Sequence, residues 1–157
     1  MSRLPPLSGW TVVSLRPQGQ HDAVRRTARK LGARVIAASS SRLSPLPLGN
    51  TLDAVLACPI RIASSPNAVR FAARQASLPG AWLAIGKDTA ACLLQAGAQR
   101  VQVPEPQTAE GLLQLACLQS IRGRRIGLLT APDGRGLLER DLPARGAYLQ
   151  VAHSYRR

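Results

Sequence analysis

The stretch "IRIASSPNAVRFAA", residues 60–73, changes its period in the middle. Ile60 and Ile62 alternate as in a strand, whereas Val69, Ala72 and Ala73 recur at helical spacing. Between them, Ser65 is suited to cap a helix and Pro66 to occupy its first turn, where a missing N–H costs nothing. A strand that runs straight into a capped helix is the junction of a parallel α/β sheet. The rest of the chain can be read outward from it.

Toward the C-terminus the alternation repeats. The stretches "AWLAI" (81–85), "RVQV" (100–103), "RRIGLLT" (124–130) and "AYLQVAH" (147–153) read as strands. Between and around them, 66–76, 88–97, 108–119 and 134–146 read as helices, and "TLDAVLA" (51–57) as one more. Continuous apolar runs such as "IGLL" suit strands covered on both faces. Toward the N-terminus, residues 10–15 form a short strand stopped by Pro17. A helix follows in "GQHDAVRRTARKLGA" (19–33), with Asp22 in its early turns and Gly32 as its stop, and "RVIAA" (34–38) gives a second strand. This β-α-β unit is separated from the rest by "SSSRLSPLPLGN" (39–50), the best linker in the sequence. The pattern predicts an α/β fold with an open, doubly wound parallel sheet.

Composition narrows the function. Apolar residues make up 45% of the 157 and aromatics only 3%, so the core rests on Leu, Ala, Val and Ile. The net charge of +13 attracts anions. Nucleic acid is not the expected partner, because base-stacking aromatics are scarce and "RRTARK" (25–30) reads as a solvated helix face. Cys58, Cys92 and Cys117 form no C-x-x-C pair, and neither His21 nor His153 flanks them, so neither a metal site nor a disulfide framework is expected. Three thiols, expected to be buried, suit a reducing cytoplasm. There is no apolar run long enough for a membrane span and no secretory h-region, so the expectation is a soluble cytoplasmic protein without a membrane partner.

In a doubly wound sheet every βα loop emerges at the carboxyl edge, where ligands bind. Ser64 and Ser65 lie there, followed by Asn67 and Ala68, whose backbone N–H groups are expected to be free for a carboxylate or phosphate. Gly86 and Lys87 occupy the next junction, and Thr130 and Arg135 the one after "IGLL". Neither a Walker loop nor a dinucleotide fingerprint fits, since Ala81 and Glu139 stand where glycines belong. At the junction near 108, Glu110 argues for simple complementation of the helix dipole. No Ser-His-Asp set or pair of carboxylates at helical spacing is visible. Tyr148 reads as a packing residue. Tyr155, beside Arg156 and Arg157, reads either as an exposed strand end or as a proton donor and acceptor.

The ordered set "SSPNAVRFAA", "AIGKDTAACLLQAGA", "VPEPQTAEGLLQL", "GRRIGLLTAPDGRGLLERDLPARGA" and "VAHSYRR" resembles uroporphyrinogen-III synthase from about residue 10 onward. The opening "VVSLRPQGQ" resembles that family's first strand and loop, which brings in Arg16 as a substrate contact. The resemblance implies two α/β lobes joined by a two-stranded tether, with the active site in the cleft. Residues 10–37 would begin the first lobe, 38–50 would link, 51–153 would form one complete flavodoxin-like lobe, and 154–157 would start the return tether. The chain ends where the family goes back to finish its first lobe, so the resemblance also implies a truncated form with little or no activity. The implied reaction closes hydroxymethylbilane, a polycarboxylate, with loss of water and inversion of ring D. It needs no cofactor, and a monomer is expected. Tyr155 matches the tyrosine expected to help the hydroxyl leave. Two alternatives differ in kind: a basic anion- or nucleic-acid-binding module without catalysis, and a structural remnant that binds nothing and exposes apolar surface around residues 10–37.

Overall fold

The computed structural model describes residues 5–132 and 134–157. Its described residues divide into two compact units, one up to residue 44 with Arg157 and the other within residues 45–156.

The first unit is a β-α-β. Strand β1 (Thr11–Ser14) pairs in parallel with β2 (Arg34–Ala37), and helix α1 (Asp22–Lys30) connects them. Asp22 opens the helix, Arg29 and Lys30 close it, and Gly32 turns the chain at φ +84°, a left-handed value that favours glycine. Leu7, Val12, Val24, Ala28 and Leu31 line the apolar seam between helix and strands. The opposite sheet face is bare. Val13 and Ile36 are register partners there, 57% and 55% exposed, and Leu15, at the same parity just past β1, is 68% exposed. Parallel strands are normally covered on both faces, so this sheet is only half covered.

The second unit opens with α2 (Asn50–Leu56) and continues with β4 (Ile60–Ala63), α3 (Pro66–Ala72), β5 (Gly80–Ala84), α4 (Lys87–Gln95) and β6 (Ala98–Gln102). It then runs through α5 (Ala109–Leu113), β7 (Arg125–Thr130), α6 (Leu137–Ala144) and β8 (Tyr148–His153). The two-residue strands β3 (Ser44–Pro45) and β9 (Tyr155–Arg156) form a separate ladder. The main sheet is wholly parallel in the order β6-β5-β4-β7-β8. Counted within the unit this is 3-2-1-4-5. Flavodoxin has 2-1-3-4-5, and both orders are doubly wound.

The direction in which strands are added across the sheet reverses between β4 and β7. Right-handed crossovers therefore put α3 and α4 on one face and α5 and α6 on the other. On the second face Ile62, Leu83, Leu112, Leu118, Ile126, Leu128, Leu138 and Leu142 form one buried cluster. On the first, Gly127 faces α2, and a Cβ at that position would come within 2.6 Å of the Val55 carbonyl oxygen.

Three expectations are corrected here. Residues 108–119 do not form one helix: α5 ends at Leu113 and a separate 3-10 turn covers Ala116–Leu118. Side chains take up the carbonyls released by the break, with Gln119 Nε2 and Arg145 donating to Leu113 O at 2.8 and 2.7 Å. That turn leaves Cys117 exposed while Cys58 and Cys92 are buried, so not all three thiols are buried. Tyr148 starts its strand as expected but is 66% exposed, because β8 is an edge strand.

Candidate functional site

The carboxyl ends of β4, β5 and β7 carry the junction residues of the second unit. The reversal of strand order between β4 and β7 is the switch point at which open α/β sheets hold ligands. There Ser64 Oγ donates to Thr130 Oγ1 at 2.7 Å, joining the two strand ends across the switch. Ser154, just past β8, ties the same region together. Its N–H donates to Thr130 O at 3.1 Å and its hydroxyl to Ala68 O at 2.8 Å, with the residue wholly buried. Local pattern offered no reason to single out Ser154, since its partner in α3 lies 86 residues away.

Ser65 caps α3 as expected, accepting from the Ala68 N–H at 3.0 Å, and Pro66 follows as the first helical residue. That bond corrects one expectation: the Ala68 amide is occupied, not free. The next junction behaves similarly. Gly86 precedes α4 in extended conformation, and the Lys87 N–H donates to Gln107 Oε1 at 2.8 Å. The Gln107 amide thus lies where an anion was expected, and it was missed because it belongs to the loop after the neighbouring strand. The Lys87 side chain is exposed. At the third junction Arg135 is paired with Glu110, its two terminal nitrogens donating to the carboxylate oxygens at 2.8 and 3.3 Å. Glu110 therefore does more than complement a dipole. Its own backbone N–H, then Arg135 and Thr108, hold its carboxyl below the ordinary value of 4.5.

Tyr155 is 8% exposed and stacks on Phe71, with ring centroids 5.3 Å apart. The expectation of an exposed strand end is corrected, because the apolar face of α3 covers the ring. His153 is the last residue of β8, exposed and in register with Thr130. Arg16 belongs to the first unit, where it is exposed in the loop after β1. The structure therefore brings together Ser64, Ser65, Ala68 and Thr130. It places Gly86 and Lys87 at the end of the neighbouring strand β5, and Arg135 in the loop after β7, five residues beyond Thr130. A groove of about 610 Å³ lies apart from these residues, lined by the starts of β4 and β5 and by Cys117. No group of metal-ligating side chains occurs among the described residues. No helix among them is long and apolar enough to cross a membrane.

The profile of a family described as uroporphyrinogen-III synthase HemD matches residues 22–157. The uroporphyrinogen-III synthase of Escherichia coli (strain K12) is 34% identical over 119 residues, covering 70% of this chain and 48% of that protein. That of Salmonella typhimurium is 36% identical over 103 residues, covering 60% of this chain and 42% of the relative. The chain thus spans about half the length of the curated relatives it matches. Among solved structures, a mutant uroporphyrinogen III synthase from the extremely thermophilic bacterium Thermus thermophilus superposes with a TM-score of 0.62 at 22% identity, covering 94% of this chain and 62% of that one. The wild-type enzyme in another crystal form gives a TM-score of 0.53 at 23% identity. At these identities the structures speak to the fold, which they share with this chain.

Proposed function

Because the chain belongs to the uroporphyrinogen-III synthase family, we propose that it takes part in converting hydroxymethylbilane to uroporphyrinogen III in the cytoplasm, acting as a monomer. The reaction expels water, closes the macrocycle and inverts ring D. It requires the substrate to be held in one folded conformer more than it requires strong acid–base groups. The observation that carries this reading is the Ser64–Thr130 hydrogen bond of 2.7 Å across the switch point. It fixes polar strand ends where a doubly wound sheet holds its ligand. Ser64, Ser65, Asn67, Ala68, Gly86, Lys87, Thr130 and Arg135 are the substrate contacts proposed in the second unit, and Arg16 in the first. The excess of basic residues draws the substrate's carboxylates toward this surface.

Ala68, Lys87 and Arg135 are among the contacts that already have partners. Ala68 and Lys87 would exchange their present hydrogen-bond partners for a substrate carboxylate, and Arg135 would have to leave Glu110. Tyr155 is the proposed proton donor to the departing hydroxyl, with Phe71 fixing its ring. The domain boundaries proposed are residues 10–37 for the start of one lobe, 38–50 for the linker, 51–153 for the second lobe and 154–157 for the return. The half-covered sheet of the first unit supports the idea that its lobe takes further chain.

The test is fluorescence titration with uroporphyrin III, together with isomer analysis after adding hydroxymethylbilane. Saturable binding that weakens in Ser65→Ala and Asn67→Ala supports the proposal, and absence of binding overturns it. For the 157-residue chain alone, binding without faster ring closure is expected, since it matches only 48% of the E. coli relative's length.

A further inference from the structure

The first unit holds a histidine that the proposed chemistry does not use. His21 is 5% exposed, and both ring nitrogens are engaged: Nε2 lies 2.7 Å from Ser39 Oγ and Nδ1 lies 2.9 Å from Ser14 Oγ. Ser14 is buried as the last residue of β1, whereas Ser39 is exposed in the loop just beyond β2. All three therefore lie at the carboxyl edge of the small sheet. Beside them is a polar cavity of about 700 Å³, lined by His21 and Ser39 with Gly19, Ser40, Arg25 and Arg42. Holding the two loops together does not require the histidine. The Gln18 N–H already donates to Ser41 O at 2.9 Å, and Arg42 Nε to Gln18 Oε1 at 2.8 Å.

We propose that Ser39, His21 and Ser14 are the nucleophile, general base and orienting group of an acyl-transfer site, and that this site hydrolyses small esters carrying a negative charge. With the ring proton on Nδ1 and donated to Ser14, Nε2 is free to accept from the Ser39 hydroxyl. Ser39 Oγ attacks the ester carbonyl carbon as its proton passes to Nε2, and the carbonyl oxygen becomes the oxyanion. The carbon–oxygen bond to the leaving group then breaks, and the leaving alcohol takes the proton from Nε2. Water repeats the sequence on the acyl-serine, releasing a carboxylic acid and restoring Ser39. Arg25 and Arg42 on the cavity wall favour the oxyanion and an anionic substrate tail. The Asp22 carboxylate, next in sequence to His21 and 3.7 Å from Arg25, moderates their positive field. The sequence alone did not reveal this set because the orienting group is a serine, not an acid, and Ser39 lies 18 residues from His21.

The experiment treats the full chain with a fluorophosphonate probe, maps the adduct by mass spectrometry, and follows hydrolysis of p-nitrophenyl acetate and the p-nitrophenyl monoester of succinate. The expected result is an adduct on Ser39, with the succinate ester turned over faster than the acetate. Ser39→Ala should abolish labelling, and His21→Gln should slow it about 100-fold. Ser14→Ala should slow it about tenfold while Ser14→Thr restores it, a pattern that simple packing would not produce. Ser39 is exposed, so its alanine variant folds and keeps the test decisive even where His21→Gln does not. No adduct, an adduct on Ser40 or Ser41, or labelling unchanged in Ser39→Ala overturns the proposal.

Discussion

Individual side chains of the candidate site are already bound to one another, and Arg135 is the clearest case. The backbone and Arg135 stabilise ionised Glu110, so its carboxyl titrates below the ordinary 4.5. The depressed value makes this interaction fully present above the unfolded pKa, and it is lost as pH falls through the lower, folded one. Titration of the Glu110 side chain by NMR should therefore give a midpoint below 4.5, moving back toward it in Arg135→Ala. Both groups are largely exposed, so their pairing contributes little to stability. Its consequence is for binding. Glu110→Gln should release Arg135 and tighten binding of uroporphyrin III, which the same fluorescence titration would measure. The N-cap is different in kind. Ser65→Ala removes the acceptor for the Ala68 N–H and should lower stability by about 1 kcal/mol in a denaturant melt.

Among the strands and helices, the sequence was most legible where one period dominates. "IGLL" is wholly buried in β7, and "SSPN" turns a strand into a capped helix as the residue types demand. It was least legible where partners distant in sequence decide the outcome. The break after Leu113 depends on Gln119 and on Arg145, the latter 32 residues away, and Tyr155 is buried because Phe71 stacks on it. The junction residues could be named in advance. Their occupancy could not, because Gln107 reaches them from the loop after β6 and Glu110 from the first turn of α5. Close packing of elements gives a sharper expectation. Gly127 sits under α2, where an added Cβ would meet the Val55 backbone, not a flexible side-chain tip. Gly127→Ala should therefore cost about 2 kcal/mol or more, seen as a lower denaturation midpoint with an unchanged m-value.

Across the full chain, the two units differ in how much structure supports them. One is a two-stranded sheet with a bare apolar face, the other a five-stranded sheet covered on both sides. Two strands are marginal alone, whereas the larger sheet has a continuous core. Hydrogen exchange should therefore be faster for the amides of β1 and β2 than for those of β4 and β7. Ile36→Thr on the bare face should change stability by less than about 0.5 kcal/mol in a denaturant melt. The sequence allowed for exposed apolar surface around residues 10–37 as one alternative, but not for which sheet face would be bare. Alternating Val and Ile look the same whether or not anything covers them.

The strand order has a consequence for synthesis on the ribosome. β4 is the middle strand of the larger sheet and the first of its strands to be translated, with β5 and β6 laid down next on one flank. Three adjacent strands can thus assemble once the nascent chain has emerged to about Gln102, while β4's other edge stays open until β7 leaves the exit tunnel. The edge that waits is the one that later carries Ser64 beside Thr130, so the switch point is among the last parts of the sheet to close.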